Sequence, residues 1–140
     1  MAGINAGRVI GGGLVAGLVM NVVDGVTNGA ILGARWEVES KRLGLDMSQQ
    51  SQALAGWLTY DFVAGIVLVW LYAAIRPRFG PGAKTAIIAG LALWFITHLA
   101  FAAWVFTGLY SLGIVAASTV GGLVAGVAGA LAGCALYKEA

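Results

Sequence analysis

Three ionisable side chains fall inside long apolar stretches of this chain: Asp24, Asp61 and His98. A charged group at the centre of a membrane span costs roughly 3 kcal/mol on insertion scales, so intramembrane acids are rare and mark ion, proton or solute pathways by default. Asp24 lies eight residues before Leu32, Asp61 eight after Ala53 and His98 eight before Phe106. At a rise of ~1.5 Å per residue, each is ~12 Å below the same membrane face. Asn21 and Asn28 flank Asp24 about one helical turn away on either side. The expected site is therefore a cluster of Asp24, Asp61 and His98 supported by Asn21 and Asn28. Two nearby carboxylates in a low dielectric cannot both stay charged without compensation. His98 as imidazolium neutralises one, or one acid holds a proton, and the group titrates as a coupled unit. Such a cluster relays protons, binds a cation or captures a cationic solute. The plainer alternative is a hydrogen-bonded knot that serves only the fold, with His98 a satisfied core group. Depth fixes height and leaves azimuth open.

The elements that carry these groups follow from hydropathy. The chain has 140 residues, 60% of them hydrophobic and 10% charged, with mean hydropathy +0.90. Soluble domains carry about 25% charged residues, so lipid is the expected solvent. A bilayer core takes ~20 apolar residues per helix, and four stretches qualify: about 9–32, 53–75, 85–106 and 113–137. The fold class expected is all-α, a single domain over 1–140 forming a four-transmembrane-helix bundle. The first span is expected to run on to Ala34. No small-residue cleavage site follows Val23, so it is expected to remain as a span and not to be removed as a signal peptide.

The connections agree. Between Gly33 and Gln52, the charged residues Arg35, Glu37, Glu39, Lys41, Arg42 and Asp46 alternate with Trp36, Val38, Leu43 and Leu45. That pattern predicts a short helix on the membrane surface, ended by Gly44, with Asp46 and Gln49 as a capping pair for the second span. Arg76-Pro77-Arg78-Phe79-Gly80-Pro81-Gly82-Ala83-Lys84 predicts a tight basic hairpin, with Pro77 pushing Arg76 out of helix. One side of the membrane receives Arg8, Arg76, Arg78, Lys84 and Lys138, the other Arg35, Lys41 and Arg42. This bias places both termini in the cytoplasm.

Around the first helix, Gly13, Gly17, Asn21, Asp24 and Asn28 fall within roughly 80° of one another, small at one end and polar at the other. In the last span Ser118, Gly122, Gly126, Ala130 and Cys134 recur at four-residue spacing, with Gly129 and Gly133 beside them. This is a GxxxG-like ridge for close backbone approach, inside the monomer or across a homo-oligomer. Trp57, Trp104 and Tyr110 at one end, and Trp70, Tyr72 and Tyr137 at the other, are read as aromatic belts.

Several chemistries are excluded. A single His cannot give bis-histidine haem ligation, and no usual zinc spacing occurs. GxSxG and Walker A are absent, and no GxGxxG stands in a strand-turn-helix context. Cys134 lies among small residues with no base near it. Net charge of +2 gives no nucleic-acid footprint. No catalytic residue, cofactor or metal site is expected.

The segment Trp70-Leu71-Tyr72-Ala73-Ala74-Ile75-Arg76-Pro77-Arg78-Phe79-Gly80-Pro81-Gly82, with Lys84-Thr85-Ala86, Ala89-Gly90-Leu91-Ala92-Leu93-Trp94 and the stretch from Asn28-Gly29 to Trp36, resembles a group of small bacterial four-span membrane proteins of unknown function. The resemblance implies four helices and a bacterial inner (plasma) membrane, and implies no activity. The functional expectation is a small carrier or channel for a proton, cation or cationic solute, not an enzyme. The alternatives are a structural or accessory subunit packed in a larger membrane complex or homo-oligomer, and, last, a membrane enzyme acting on lipid.

Overall fold

A computed structural model describes residues 3–45 and 50–139. Among them are five α-helices, α1 (Ala6–Asp24), α2 (Gly33–Arg42), α3 (Gln50–Phe79), α4 (Ala83–Phe106) and α5 (Leu112–Cys134), and no strand. A π-helical segment, Gly25–Ile31, continues α1 directly. Four helical pieces among the described residues are long and apolar enough to cross a membrane: Ala6–Ile31, Ala53–Phe79, Ala83–Phe106 and Leu112–Cys134. The chain is an all-α bundle of four such helices, with the amphipathic α2 between the first and second.

Two boundaries differ from the sequence expectation. The first span does not continue to Ala34. Leu32 N–H closes a wide turn onto Thr27 O at 2.8 Å, its own carbonyl accepts from Trp36 N–H at 2.9 Å, and α2 begins in a new direction. Arg76 is also helical, because α3 runs through Pro77 to Phe79. Pro77 stands in the last turn, where its missing N–H forfeits one bond to the Ala73 carbonyl. The helix then closes with Gly80 N–H donating to Arg76 O at 2.8 Å. Gly80 and Gly82, at φ 82° and 114°, supply the left-handed conformations of the hairpin. The capping pair Asp46 and Gln49 lies outside the described residues.

Backbones approach closely along glycines. α1 packs against α3 on one side and α5 on the other, and α4 packs against α5 and less extensively against α3. A Cβ added at Gly13 would lie 2.5 Å from Ile66 Cα, and one at Gly17 2.6 Å from Phe62 Cα. On the opposite face Gly12 and Gly133 meet, a Cβ on Gly133 falling 2.5 Å from Gly12 O. Gly90 of α4 lies against Gly126 O of α5, 2.9 Å from the position of a Cβ. Lipid tails are as apolar as leucine, so association in a bilayer relies on such contact.

At the hairpin end the two chain ends and the α3–α4 turn are joined through tyrosines. Gly82 N–H donates to Tyr72 Oη at 3.0 Å and Asn5 N–H to Tyr137 Oη at 3.3 Å. The two rings meet edge-on at 6.0 Å, and Arg76, 3.0 Å from Glu139 Oε1, lies over the Tyr137 ring. Tyr72 and Tyr137 are thus buried, at 3% and 4% exposure, and do not form an interfacial belt. Each phenol has a backbone donor, which is what makes its burial tolerable. Trp57, Trp70 and Trp104 remain exposed.

At the opposite end Glu39 and Arg42 fasten α2 to the α4–α5 connection. Arg42 Nη2 donates to Glu39 Oε2 at 2.7 Å and to Leu109 O, and Nη1 donates to Gly108 O at 3.2 Å. Hydrogen bonds from Ser111, and then Arg42, hold the buried Glu39 carboxyl below its ordinary value of 4.5. A depressed acid contributes stability above its unfolded pKa and loses that contribution as pH falls through its folded pKa. Amide-exchange protection of α2 is therefore expected to fall as pH drops below about 4.5, and to be weak at every pH in Glu39→Gln. The exposed Glu37–Lys41 pair at 2.7 Å is a control, because surface pairs contribute little. Equal effects of Glu37→Gln and Glu39→Gln would show that α2 is held by something else.

Candidate functional site

The polar groups of the spans distribute over three places, each set by which neighbour the helix face meets. The first is the seam between α1 and α3. Asn21 Nδ2 donates to Gly17 O of its own helix at 3.0 Å and across to Leu58 O of α3 at 3.2 Å. With Gly17 seated on Phe62 and Asn21 bonded to Leu58, the antiparallel register is fixed. On that register Asp24 stands opposite Ala55 and Asp61 opposite Leu18, an axial offset of six residues, or ~9 Å. The span ends are staggered, Ala53 facing Val26 and not Leu32, so distance from the span end overstates how level the acids are.

Local geometry brings the two carboxylates back toward each other. Every Cα–Cβ bond of a helix tilts toward its N-terminus. Asp24 on α1 therefore leans toward the hairpin end, and Asp61, on the antiparallel α3, toward the α2 end. Each lies within Coulombic reach of the other, with Tyr60 beside both. Asp61 is 6% exposed, and among the described residues no side chain or backbone group hydrogen-bonds its carboxylate. A buried acid is normally paired or fully hydrogen-bonded. Among the described residues Asp61 is a buried carboxylate without such a partner.

Above Asp61, toward the α2 end, α3 loses its neighbours. Every residue from Ala53 to Tyr60 is exposed. Trp57, one turn from Asp61, meets the Tyr60 ring edge-on at 5.9 Å. The Asn21 bond to Leu58 O is the hydrogen bond across the seam here.

The second place is the α4–α5 interface, which holds His98. Its Nδ1 lies 3.1 Å from Trp94 O and 3.2 Å from Thr97 Oγ1. The ring stacks on Trp94 and meets Phe101 edge-on, and Nε2 abuts Gly122, where a Cβ would collide with it. Trp94 Nε1 donates to Thr119 O of α5 at 2.9 Å. His98 takes its contacts from these groups, and neither acid bears on it. The structure brings Asp24, Asp61 and Asn21 together and holds His98 apart from them.

The third place is built on Asn28. Its Oδ1 accepts from Ser118 Oγ at 2.9 Å and from Trp36 Nε1 at 3.1 Å, and Thr27 beside it packs on Gly121 of α5. On a regular α-helix Asn28 would share the α3-facing stripe of Gly17 and Asn21. The i→i+5 turns of Gly25–Ile31 advance fewer degrees per residue, and this swings Asn28 toward α5. The Asn28 amide thus joins α1, α2 and α5 instead of flanking the acids. Trp36 also meets Tyr110 edge-on at 5.6 Å, which closes this end of the bundle.

Sequence reasoning did not assign Ser118, Trp36 or Tyr60 to these places. Tyr60 is next to Asp61 in the chain, and Ser118 begins the small-residue ridge. Trp36 carried no signal, since its partner is set by the π-helical turn. Two shallow hollows, about 450 Å³ beside Arg8 and Leu136 and about 430 Å³ between Arg35 and Ser111, lie at the ends of the bundle, neither lined by these acids. A comparison with protein-family models, with curated proteins and with solved structures finds no match to this chain.

Proposed function

We propose that the protein is a small membrane carrier for a proton, a cation or a cationic solute, working through the Asp24/Asp61 pair of the α1–α3 seam and without catalysis. The observation that carries this reading is Asp61: a carboxylate 6% exposed, unpartnered among the described residues, with a second acid in Coulombic reach. A knot that served only the fold would satisfy its acids by hydrogen bonds, as Asn28 satisfies Ser118 and Trp36. Two carboxylates with no counter-charge among the described residues are complementary to a ligand that brings a positive charge. The excess of Lys and Arg at the hairpin end supports cytoplasmic termini, and the resemblance of the hairpin region supports a bacterial inner membrane.

The test is flux in proteoliposomes, driven by a potassium diffusion potential and read by a trapped pH dye or by sodium uptake. Wild-type protein is expected to exceed empty vesicles, and Asp24→Asn and Asp61→Asn to fall to the empty-vesicle rate. Flux that survives both substitutions would remove the acids from the mechanism.

A second reading is supported by a different observation. Residues Ala53–Tyr60 of α3 are exposed all round, as a helix end covered by another chain would be. On that reading the protein is an accessory subunit of a larger complex or a homo-oligomer, and crosslinks from Leu54 or Trp57 would reach a protein partner and not lipid.

A further inference from the structure

The surroundings of Asp61 narrow the cation, on the carrier reading just given. Along α3 toward the α2 end, Leu58, Trp57 and Leu54 fall on the face that Asp61 begins, because residues three, four and seven apart share a helix face. Trp57 is 67% exposed and Tyr60 48%, and their rings meet edge-on at 5.9 Å, so one π-face stays open beside the acid. No described element covers Ala53–Tyr60, and the approach to Asp61 is therefore sideways, over apolar and aromatic surface at membrane depth.

A strongly hydrated inorganic cation is poorly matched to this place. Magnesium and calcium take six or more oxygen ligands, and among the described residues no three His, Cys, Asp or Glu side chains converge to hold a metal ion. An organic cation with spread charge loses little hydration, gains from an aromatic face and dissolves in the bilayer from which this site opens. Asp61 supplies the counter-charge, Trp57 and Tyr60 the π surface, and Leu54 and Leu58 the apolar bed. We propose that the α1–α3 seam binds a lipophilic, weakly hydrated monovalent organic cation, which reaches Asp61 laterally from the bilayer along Trp57 and Tyr60.

The probe is tetraphenylphosphonium, measured by equilibrium dialysis on the full chain in phosphatidylcholine nanodiscs, with empty nanodiscs subtracted for simple partitioning. Saturable binding of about one cation per chain is expected. Asp61→Asn should weaken it at least tenfold, and Trp57→Ala by about fivefold, the ~1 kcal/mol of one cation–π contact. Trp104→Ala, which removes another exposed indole from α4, should leave it unchanged. Trp57 has few internal contacts to lose, so its substitution separates ligand binding from folding even if Asp61→Asn aggregates. Absence of saturable binding, or binding indifferent to both Trp57→Ala and Asp61→Asn, overturns the proposal. If tetraphenylphosphonium fails while acid-dependent sodium or proton flux persists, the organic cation is wrong and the carrier stands. If binding needs Asp61 while every flux is at the empty-vesicle rate, the site is right and the carrier falls.

Discussion

Gly65→Ala is expected to destabilise the bundle by about 3 kcal/mol, the upper end of the cost of overpacking, while Gly56→Ala on the same helix leaves stability nearly unchanged. Both add one methyl to α3. At Gly65 the new Cβ would lie 2.5 Å from Gly17 N and 3.0 Å from Gly17 Cα, with Gly13 O closer still. All three are backbone atoms of α1, so no side chain can turn aside to relieve the contact. The helices must separate, and separation also strains the Asn21 bond to Leu58 O and the seats of Gly13 and Gly17. At Gly56 nothing lies within 4 Å of the added carbon, and alanine is the better helix former. Thermal unfolding in mild detergent, followed by circular dichroism, gives the comparison. Equal melting temperatures for the two variants would mean that α1 and α3 do not touch as described.

Asp61→Leu is expected to raise stability and abolish function together. An unpartnered polar group buried in an apolar setting costs roughly 1–3 kcal/mol on the scale of protein mutations, and leucine, branched at the same carbon though larger, removes that cost. The same substitution removes the charge that a cation would need, so flux and saturable tetraphenylphosphonium binding should drop to background. A protein that keeps a destabilising side chain at a buried acidic position is spending stability on a site. The opposite result is equally informative. If Asp61→Leu melts earlier than wild type, the carboxylate has a stabilising partner, the seam is a structural knot, and the accessory-subunit reading gains ground.

The two expectations rest on different parts of the sequence, and these were legible to different degrees. Gly13, Gly17 and Asn21 were recognisable as one stripe, and they do face a single neighbour, α3. Asn28 belonged to the same stripe by helical arithmetic and left it, because the π-helical turn after Asp24 changes the angle per residue. Nothing in Gly25-Val26-Thr27-Asn28 announces that turn. It is stabilised by what it reaches, Ser118 and Trp36. Tyr72 and Tyr137 have the composition of an interfacial belt, and only the nearby N–H groups of Gly82 and Asn5 make them core residues. Pro77 reads locally as a helix stop, yet a missing donor in a final turn costs one bond and not the helix.

The sequence by itself determined that the chain forms four apolar helices, with a short amphipathic helix and a glycine-proline hairpin among their connections. Backbone groups in hydrocarbon must all be hydrogen-bonded, and a continuous apolar run of about 20 residues achieves this within its own segment as a helix. It also determined that Asp24, Asp61 and His98 lie within the spans, since height follows from counting residues. The tertiary structure alone decided which of them meet. Azimuth and stagger depend on contacts between residues far apart in the chain, Gly17 with Phe62, Asn21 with Leu58, Gly122 with His98. Those contacts turn the two acids into one seam, give His98 to α5, and leave Asp61 enclosed beside an open aromatic face.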